Sequence, residues 1–179
     1  MQKIQLSETL LVYDFIPSIA KIDRLSIAKT IHKNKVTNDI FDVRHQYHKV
    51  DWTQSVQWFD SYVVDHFGES DRYALYMLEK NSYFAINQPK NTSIDWHTWF
   101  NPNDIKSSPD WVCIYPLIDI KEQPEIIVEY TDNRVKLNYW KLPIESNKVI
   151  MFNGDLRFKI TNNHNDNDIN YLVMKYQSK

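Results

Sequence analysis

His97 stands in Ile94-Asp95-Trp96-His97-Thr98-Trp99-Phe100, an imidazole set among indoles with a carboxylate two residues before it. A neutral imidazole is a common metal ligand, and a neighbouring carboxylate can add an oxygen donor. The plain alternative is a histidine packed between Trp96 and Trp99 and hydrogen-bonded locally. Other groups offer less. His45-Gln46-Tyr47-His48 spaces two histidines at i and i+3 without the glutamate of a zincin helix, and reads as a polar connector. Cys113, the sole cysteine, lies in Trp111-Val112-Cys113-Ile114-Tyr115 with no cationic neighbour to favour a thiolate, so it reads as a small buried hydrophobe. The run 162 to 168 lacks the central glycine and closing glutamate of a calcium loop and reads as a solvated turn. Asp65 and Glu69, at i and i+4, read as exposed helix charges, and spacing draws no Ser-His-Asp set.

Composition removes several classes. Two glycines, Gly68 and Gly154, are too few for a phosphate loop of the Walker or dinucleotide type. The formal net charge is −2 with Lys and Arg dispersed, which argues against nucleic acid as a partner. One cysteine excludes an internal disulfide and a cysteine zinc cluster. No apolar stretch approaches the ~20 residues of a membrane span, and Met1-Gln2-Lys3-Ile4-Gln5 lacks a signal-peptide core. The expectation is a soluble, unexported chain of 179 residues, organised as one domain.

The elements that must position His97 follow from periodicity. Residues 10 to 15 form a short apolar run suited to a strand, and Pro17-Ser18 supplies a break and a cap. Apolar residues from Ile19 to Ile31 keep a 3.6-residue period, which predicts a helix over 18 to 33. A second helix is predicted over 53 to 67, with Val56, Phe59, Val63 and Phe67 on one face and Gly68 as its C-terminal glycine. After Asp71 the chain becomes short aromatic and β-branched runs between polar turns. Strands are predicted near 73 to 79, 82 to 88, 111 to 118, 125 to 130, 135 to 142, 147 to 152, 156 to 160 and 169 to 176. The connections are too short for crossover helices, so the sheets should be mostly antiparallel. The fold class expected is α+β, mostly β: about eight antiparallel strands over 71 to 179, as in a sandwich, a barrel or a jelly roll, with a layer of two helices and a first strand within 1 to 70.

The order of these segments, with a histidine ahead of Trp111-Val112-Cys113-Ile114-Tyr115-Pro116-Leu117 and the late hairpin Asn147-Lys148-Val149-Ile150-Met151-Phe152-Asn153-Gly154-Asp155-Leu156-Arg157-Phe158, resembles the double-stranded β-helix of the 2-oxoglutarate and Fe(II)-dependent oxygenases, prolyl-hydroxylase-like forms included. The resemblance covers roughly residues 70 to 176. It implies His97 as first iron ligand, a carboxylate two residues later, a distal histidine on a late strand, and an Arg or Lys about ten residues beyond it to pair with the keto acid. Three positions depart from that pattern. Trp99 stands at the carboxylate position, Phe158 stands where the distal histidine is expected, and no Lys or Arg lies between Lys159 and Lys175.

Two expectations follow. One is an oxygenase-like jelly roll that has lost the iron and 2-oxoglutarate site and works as a structural or binding module. The other is an active hydroxylase with a rearranged site, in which Asp95 or Asp104 and His164 join His97 on Fe(II), and Tyr115 and Lys175 contact 2-oxoglutarate. Six Trp, eleven Tyr and eight Phe exceed what one core needs, so part of this surplus is expected to form an aromatic surface for a protein partner or a second copy. Trp99 and Trp140 are open between core and surface, whereas Trp111 is expected in the core. The Asn-, Lys- and Ile-rich, glycine-poor style suits a phage-encoded protein, cytoplasmic or virion-associated.

Overall fold

A strand buried on both faces needs an unbroken apolar run, and one buried on a single face needs alternation. The chain uses both. In the computed structural model, residues 2–6, 9–15, 22–36, 47–68, 78–132 and 136–178 are described. They form β1 (Gln2–Leu6), β2 (Thr9–Phe15), α1 (Arg24–Lys29), β3 (Ile31–Val36), β4 (Tyr47–Val50), α2 (Gln54–Gly68), β5 (Leu78–Gln88), β6 (Ile94–His97), β7 (Trp111–Pro116), β8 (Glu125–Asp132), β9 (Lys136–Pro143), β10 (Lys148–Asn153), β11 (Arg157–Ile160) and β12 (Ile169–Ser178), with one 3-10 turn at Ile105–Ser107.

The strands make two sheets, one of eight strands in the order β1-β2-β10-β7-β12-β5-β4-β3 and one of four in the order β6-β11-β8-β9. Neighbours in both run antiparallel. The two sheets face each other as a jelly roll. The expected fold class is the observed one.

Alternation along the central strands divides the interior into two layers. From β12, Tyr171 and Val173 enter the space between the sheets; they meet Val112 and Ile114 from β7, Ile150 and Phe152 from β10, and Ile126, Val128, Phe158 and Ile160 from the smaller sheet. The intervening residues Leu172, Met174 and Tyr176 face the other way, with Cys113, Tyr115 and Met151, and are covered by Ile27 of α1 and Val56, Phe59 and Val63 of α2. Burying each such aliphatic or phenyl side chain contributes about 1.5–3 kcal/mol. Cys113 is fully buried among them, and burial, followed by the nearby Asp60 charge, pushes its thiol well up, as suits an inert packing residue.

The helical layer differs from expectation at one end. The predicted helix over 18 to 33 is α1, only Arg24–Lys29. Asp23 caps it by accepting from Ser26 N at 3.0 Å, and Thr30 closes it by turning both its N–H and its hydroxyl onto Ile27 O. Ile31 and His32, which fit the helical period, instead pair with Val50 and Lys49 in the sheet. Residues 18 to 21 of that prediction lie outside the described residues. The second helix falls within a residue of its predicted bounds, with Val56, Phe59 and Val63 buried. Predicted strands at 73 to 79 and 82 to 88 are represented by the single β5, and 73 to 77 lie outside the described residues.

Three fully buried phenols give this frame an alkaline weakness. Burial raises the phenol pKa of Tyr115, Tyr171 and Tyr176 above the ordinary value near 10. A folded state that holds its proton more tightly than the unfolded chain keeps that stabilisation below the unfolded pKa and loses it as pH rises. Each phenol adds a slope of about 1.4 kcal/mol per pH unit, so the three together are expected to remove up to about 4 kcal/mol per unit above pH ~10. Urea unfolding at several pH values from 9 to 11 measures this. A flat profile, with all phenols ionising in the folded state near 10, would contradict it.

Candidate functional site

β6 brings His97 inward by a local irregularity. His97 pairs with Phe158 and Ile94 with Ile160, so Asp95 and Trp96 of β6 together oppose the single Lys159 of β11, a bulge. Because of the extra residue, Ile94 and His97 are both buried, whereas Asp95 is exposed and Trp96 only half-buried. Trp96 therefore does not pack on His97. Its ring lies on the outer face of the smaller sheet, 5.8 Å from Tyr139 and near Lys159 Nζ at 4.9 Å and the Arg157 guanidinium at 5.4 Å.

Inside, His97 is only 3% exposed. Its Nε2 and the Tyr47 hydroxyl are hydrogen-bonded at 2.8 Å, the direction of donation depending on the imidazole tautomer. Tyr47 lies on β4, so His45-Gln46-Tyr47-His48 is no simple polar connector: Tyr47 and His48 are buried strand residues, and His45 lies outside the described residues. Trp99 meets the His97 ring edge-on at 4.7 Å and 83°, and Phe158 does so at 5.4 Å and 89°. Trp99 and Phe158 stack on each other at 4.8 Å and 29°. The three rings thus form a triangle 4.7–5.4 Å on a side, extended by Phe152 behind Phe158 and by Phe84 beside Trp99. Trp99 is a core residue, and its buried Nε1 has no hydrogen-bond partner among the described residues.

The remaining candidate residues are scattered. Asp95 is exposed, and its carboxylate accepts from Trp96 N at 2.7 Å. Asp104 is exposed in the β6–β7 connection, where its carbonyl accepts from Ser108 Oγ. His164 is exposed and follows β11 past Ile160, the residue paired with Ile94, so the register carries it to the end of β6 opposite His97. Tyr115 lies on the helix-covered face of the larger sheet, where it stacks on Phe59 at 4.7 Å and donates to Asn147 Oδ1 at 2.8 Å. It is separated from His97 by the sheet itself. Lys175 is 8% exposed, with Nζ 5.6 Å from the centre of the Phe84 ring, at the same end of the barrel as the aromatic triangle. Among the described residues, no group of three or more His, Cys, Asp or Glu side chains is placed to hold a metal ion.

The polar run at 162 to 168 is a latch rather than a solvated turn. Asn163 is fully buried and donates to Gln88 O and Asn167 O. Asn165 accepts from both Lys121 N and Glu122 N and donates to Glu122 O, joining three connections at the end of the barrel away from His97. Beside it, Tyr171 donates to Gln88 Oε1 at 2.7 Å, while Gln88 donates to the Thr92 and Thr161 carbonyls. Trp111 is buried as expected, but in the layer beneath the helices, and Trp140 is half-buried against the inter-sheet core.

No protein-family model and no curated protein matches the sequence. Solved structures match the fold. A prolyl-4-hydroxylase of Pseudomonas putida aligns over 94% of this chain and 92% of that chain with a TM-score of 0.60 at 9% identity. A prolyl hydroxylase from Trichoplax adhaerens, in complex with a hypoxia inducible factor oxygen degradation domain peptide fragment, aligns over 94% and 83% with a TM-score of 0.65 at 11% identity. A non-heme alpha ketoglutarate dependent epimerase from nogalamycin biosynthesis aligns over 92% and 77% with a TM-score of 0.60 at 8% identity. At these identities the likeness establishes the fold: the chain is built as a 2-oxoglutarate oxygenase-like jelly roll.

Proposed function

We propose that this oxygenase-like jelly roll has lost the iron and 2-oxoglutarate site and serves as a structural or binding module. The observation that carries this reading is the ring triangle. The resemblance puts the second and third iron ligands at Trp99 and Phe158, and an indole and a phenyl ring stand there, in contact with His97 and with each other. Fe(II) that must also bind a keto acid and oxygen needs three donors on one face. His97 offers one nitrogen, already bonded to Tyr47, and the other candidate donors point elsewhere. The described residues around His97 therefore do not fit the metal.

The remainder of the reading concerns context. Trp52 and Trp58 are exposed on the helical side and Leu137 and Tyr139 on the outer face of the smaller sheet, two separate patches, either of which suits contact with a protein partner or a second copy. No helix among the described residues is long and apolar enough to cross a membrane. A phage origin, with a cytoplasmic or virion location, belongs to the same reading and is supported by composition alone.

Anaerobic titration with Fe(II) followed by 2-oxoglutarate tests it. The expected result is no visible charge-transfer band and no thermal shift with the metal. A band that appears in the native chain and vanishes in His97→Ala would overturn the loss of the iron and 2-oxoglutarate site.

A further inference from the structure

We propose that the cleft between the β6–β7 connection and the β10–β11 turn binds the side chain of a lysine or arginine presented by a partner polypeptide. The cleft has a volume of about 400 Å³, within the range of small-ligand sites. Its walls combine two kinds of surface. Phe100, Ile105 and Trp111 supply apolar area, and among the described residues the acidic side chains on the lining are Asp110 and Asp155. An aliphatic stem ending in a cation matches both at once, because long basic side chains lay their methylenes on apolar surface and keep the charged head among polar groups. A carboxylate or phosphate ligand would meet like charge. Ile105 is 68% exposed at the rim, which leaves apolar surface outside the cleft for the polypeptide that carries the basic side chain.

The cleft is held in shape before anything binds. Gly154 is buried and donates its N–H to Asp110 O at 2.9 Å, and a Cβ at that position would collide with the Pro109 carbonyl oxygen, so only glycine allows the two segments to approach so closely. Asp110 is fixed from the far side as well. Its N–H donates to Tyr176 O at 3.0 Å, and its Oδ2 accepts from Ser178 N at 2.7 Å. Trp111 Nε1 donates to Ser178 Oγ at 3.1 Å, which ties the apolar wall to the same strand end. A site whose walls do not move on binding loses less ordering entropy. This inference goes beyond the reading above and does not depend on whether the barrel binds iron.

Nuclear magnetic resonance titration of the ¹⁵N-labelled chain with N-acetyl-L-arginine amide tests it, with N-acetyl-L-norleucine amide as the uncharged counterpart. The expected result is a saturable shift centred on the amides of Asp110, Gly154, Asp155 and Ser178, absent with norleucine. Asp155→Asn is expected to weaken the arginine probe about fivefold, the scale of one exposed charge pair, while leaving the remaining spectrum unchanged. Equal shifts with norleucine, no saturable shift, or an affinity unchanged in both Asp155→Asn and Asp110→Asn would overturn it. So would tighter saturation at the same amides by spermidine, which would assign the cleft to a free amine. The iron titration has a different readout, so failure of either proposal is recognisable on its own.

Discussion

The double variant Trp99→Asp/Phe158→His is expected to bind Co(II) or Fe(II), whereas the native chain and both single variants are not. The three rings that meet inside the barrel come from positions that the oxygenase resemblance assigns to the three iron ligands. Their centroids lie 4.7, 4.8 and 5.4 Å apart, so side chains from these positions converge on one region. Substitution supplies a second imidazole on β11, directly opposite His97 in the register, and a carboxylate two residues beyond His97, just past the end of β6. Without metal, the variant should be weaker than the native chain, because it replaces two stacked, buried rings with smaller polar groups inside an apolar cluster. With metal at 100 times its dissociation constant, linkage restores about 2.7 kcal/mol, which in a chain of this size is a rise in Tm of roughly 5–10 °C. Thermal melts with and without Co(II), alongside the visible spectrum of bound Co(II), measure it. Adding His97→Ala to the double variant should abolish both signals. A folded double variant that shows neither would mean that the three positions do not converge as ligand positions, and would remove the main support for a lost iron site.

The parts of this structure that were legible in the sequence are those whose physics is local. Val112 to Tyr115, Val149 to Phe152 and Tyr171 to Met174 are continuous apolar runs because the larger sheet is packed on both faces, and such runs identify themselves. α2 was legible because Val56, Phe59 and Val63 share one stripe that runs out at Gly68. The misread elements are those where a second constraint overrode the local one. Ile31 fits the helical period of its predecessors, yet Thr30 ends α1 and pairing with Val50 takes Ile31 into a sheet. β4 and β6 have only four residues each and interrupt their Tyr, Val, Ile and Trp with His, Lys and Asp, so neither shows a run long enough to mark a strand. Within the site, His97, Trp99 and Phe158 were placed by family resemblance. Tyr47 was missed, because nothing local marks a tyrosine fifty residues upstream as the partner of His97. The one available signal was Tyr47 beside Val50 in a segment otherwise read as connector. The bulge that turns His97 in and Asp95 out, and the burial of Asn163 and Asn165, are properties of pairing, which a single strand's sequence does not encode.

Phe158→Ala is expected to be among the most damaging single substitutions in the chain, costing about 3–5 kcal/mol, or roughly 6–20 °C in Tm. Phe158 is fully buried and touches three rings: His97 edge-on, Trp99 stacked, and Phe152 at 5.4 Å. It also pairs with both neighbours in the smaller sheet, His97 on one side and Val128 on the other, so the cavity left by the phenyl group lies where backbone pairing on both sides prevents collapse. Phe158→Leu, which preserves most of the volume, should cost less than about 1.5 kcal/mol. His97→Ala is expected to fall between them, at about 1–3 kcal/mol, since it leaves the buried Tyr47 hydroxyl without the His97 partner. The order of the three, obtained from urea unfolding, separates the two meanings of the site. A packing centre is keyed on its largest ring, so Phe158→Ala must exceed His97→Ala. In a site kept for its imidazole, Phe158 would be a spacer, and its removal would cost little in stability while changing whatever His97 binds.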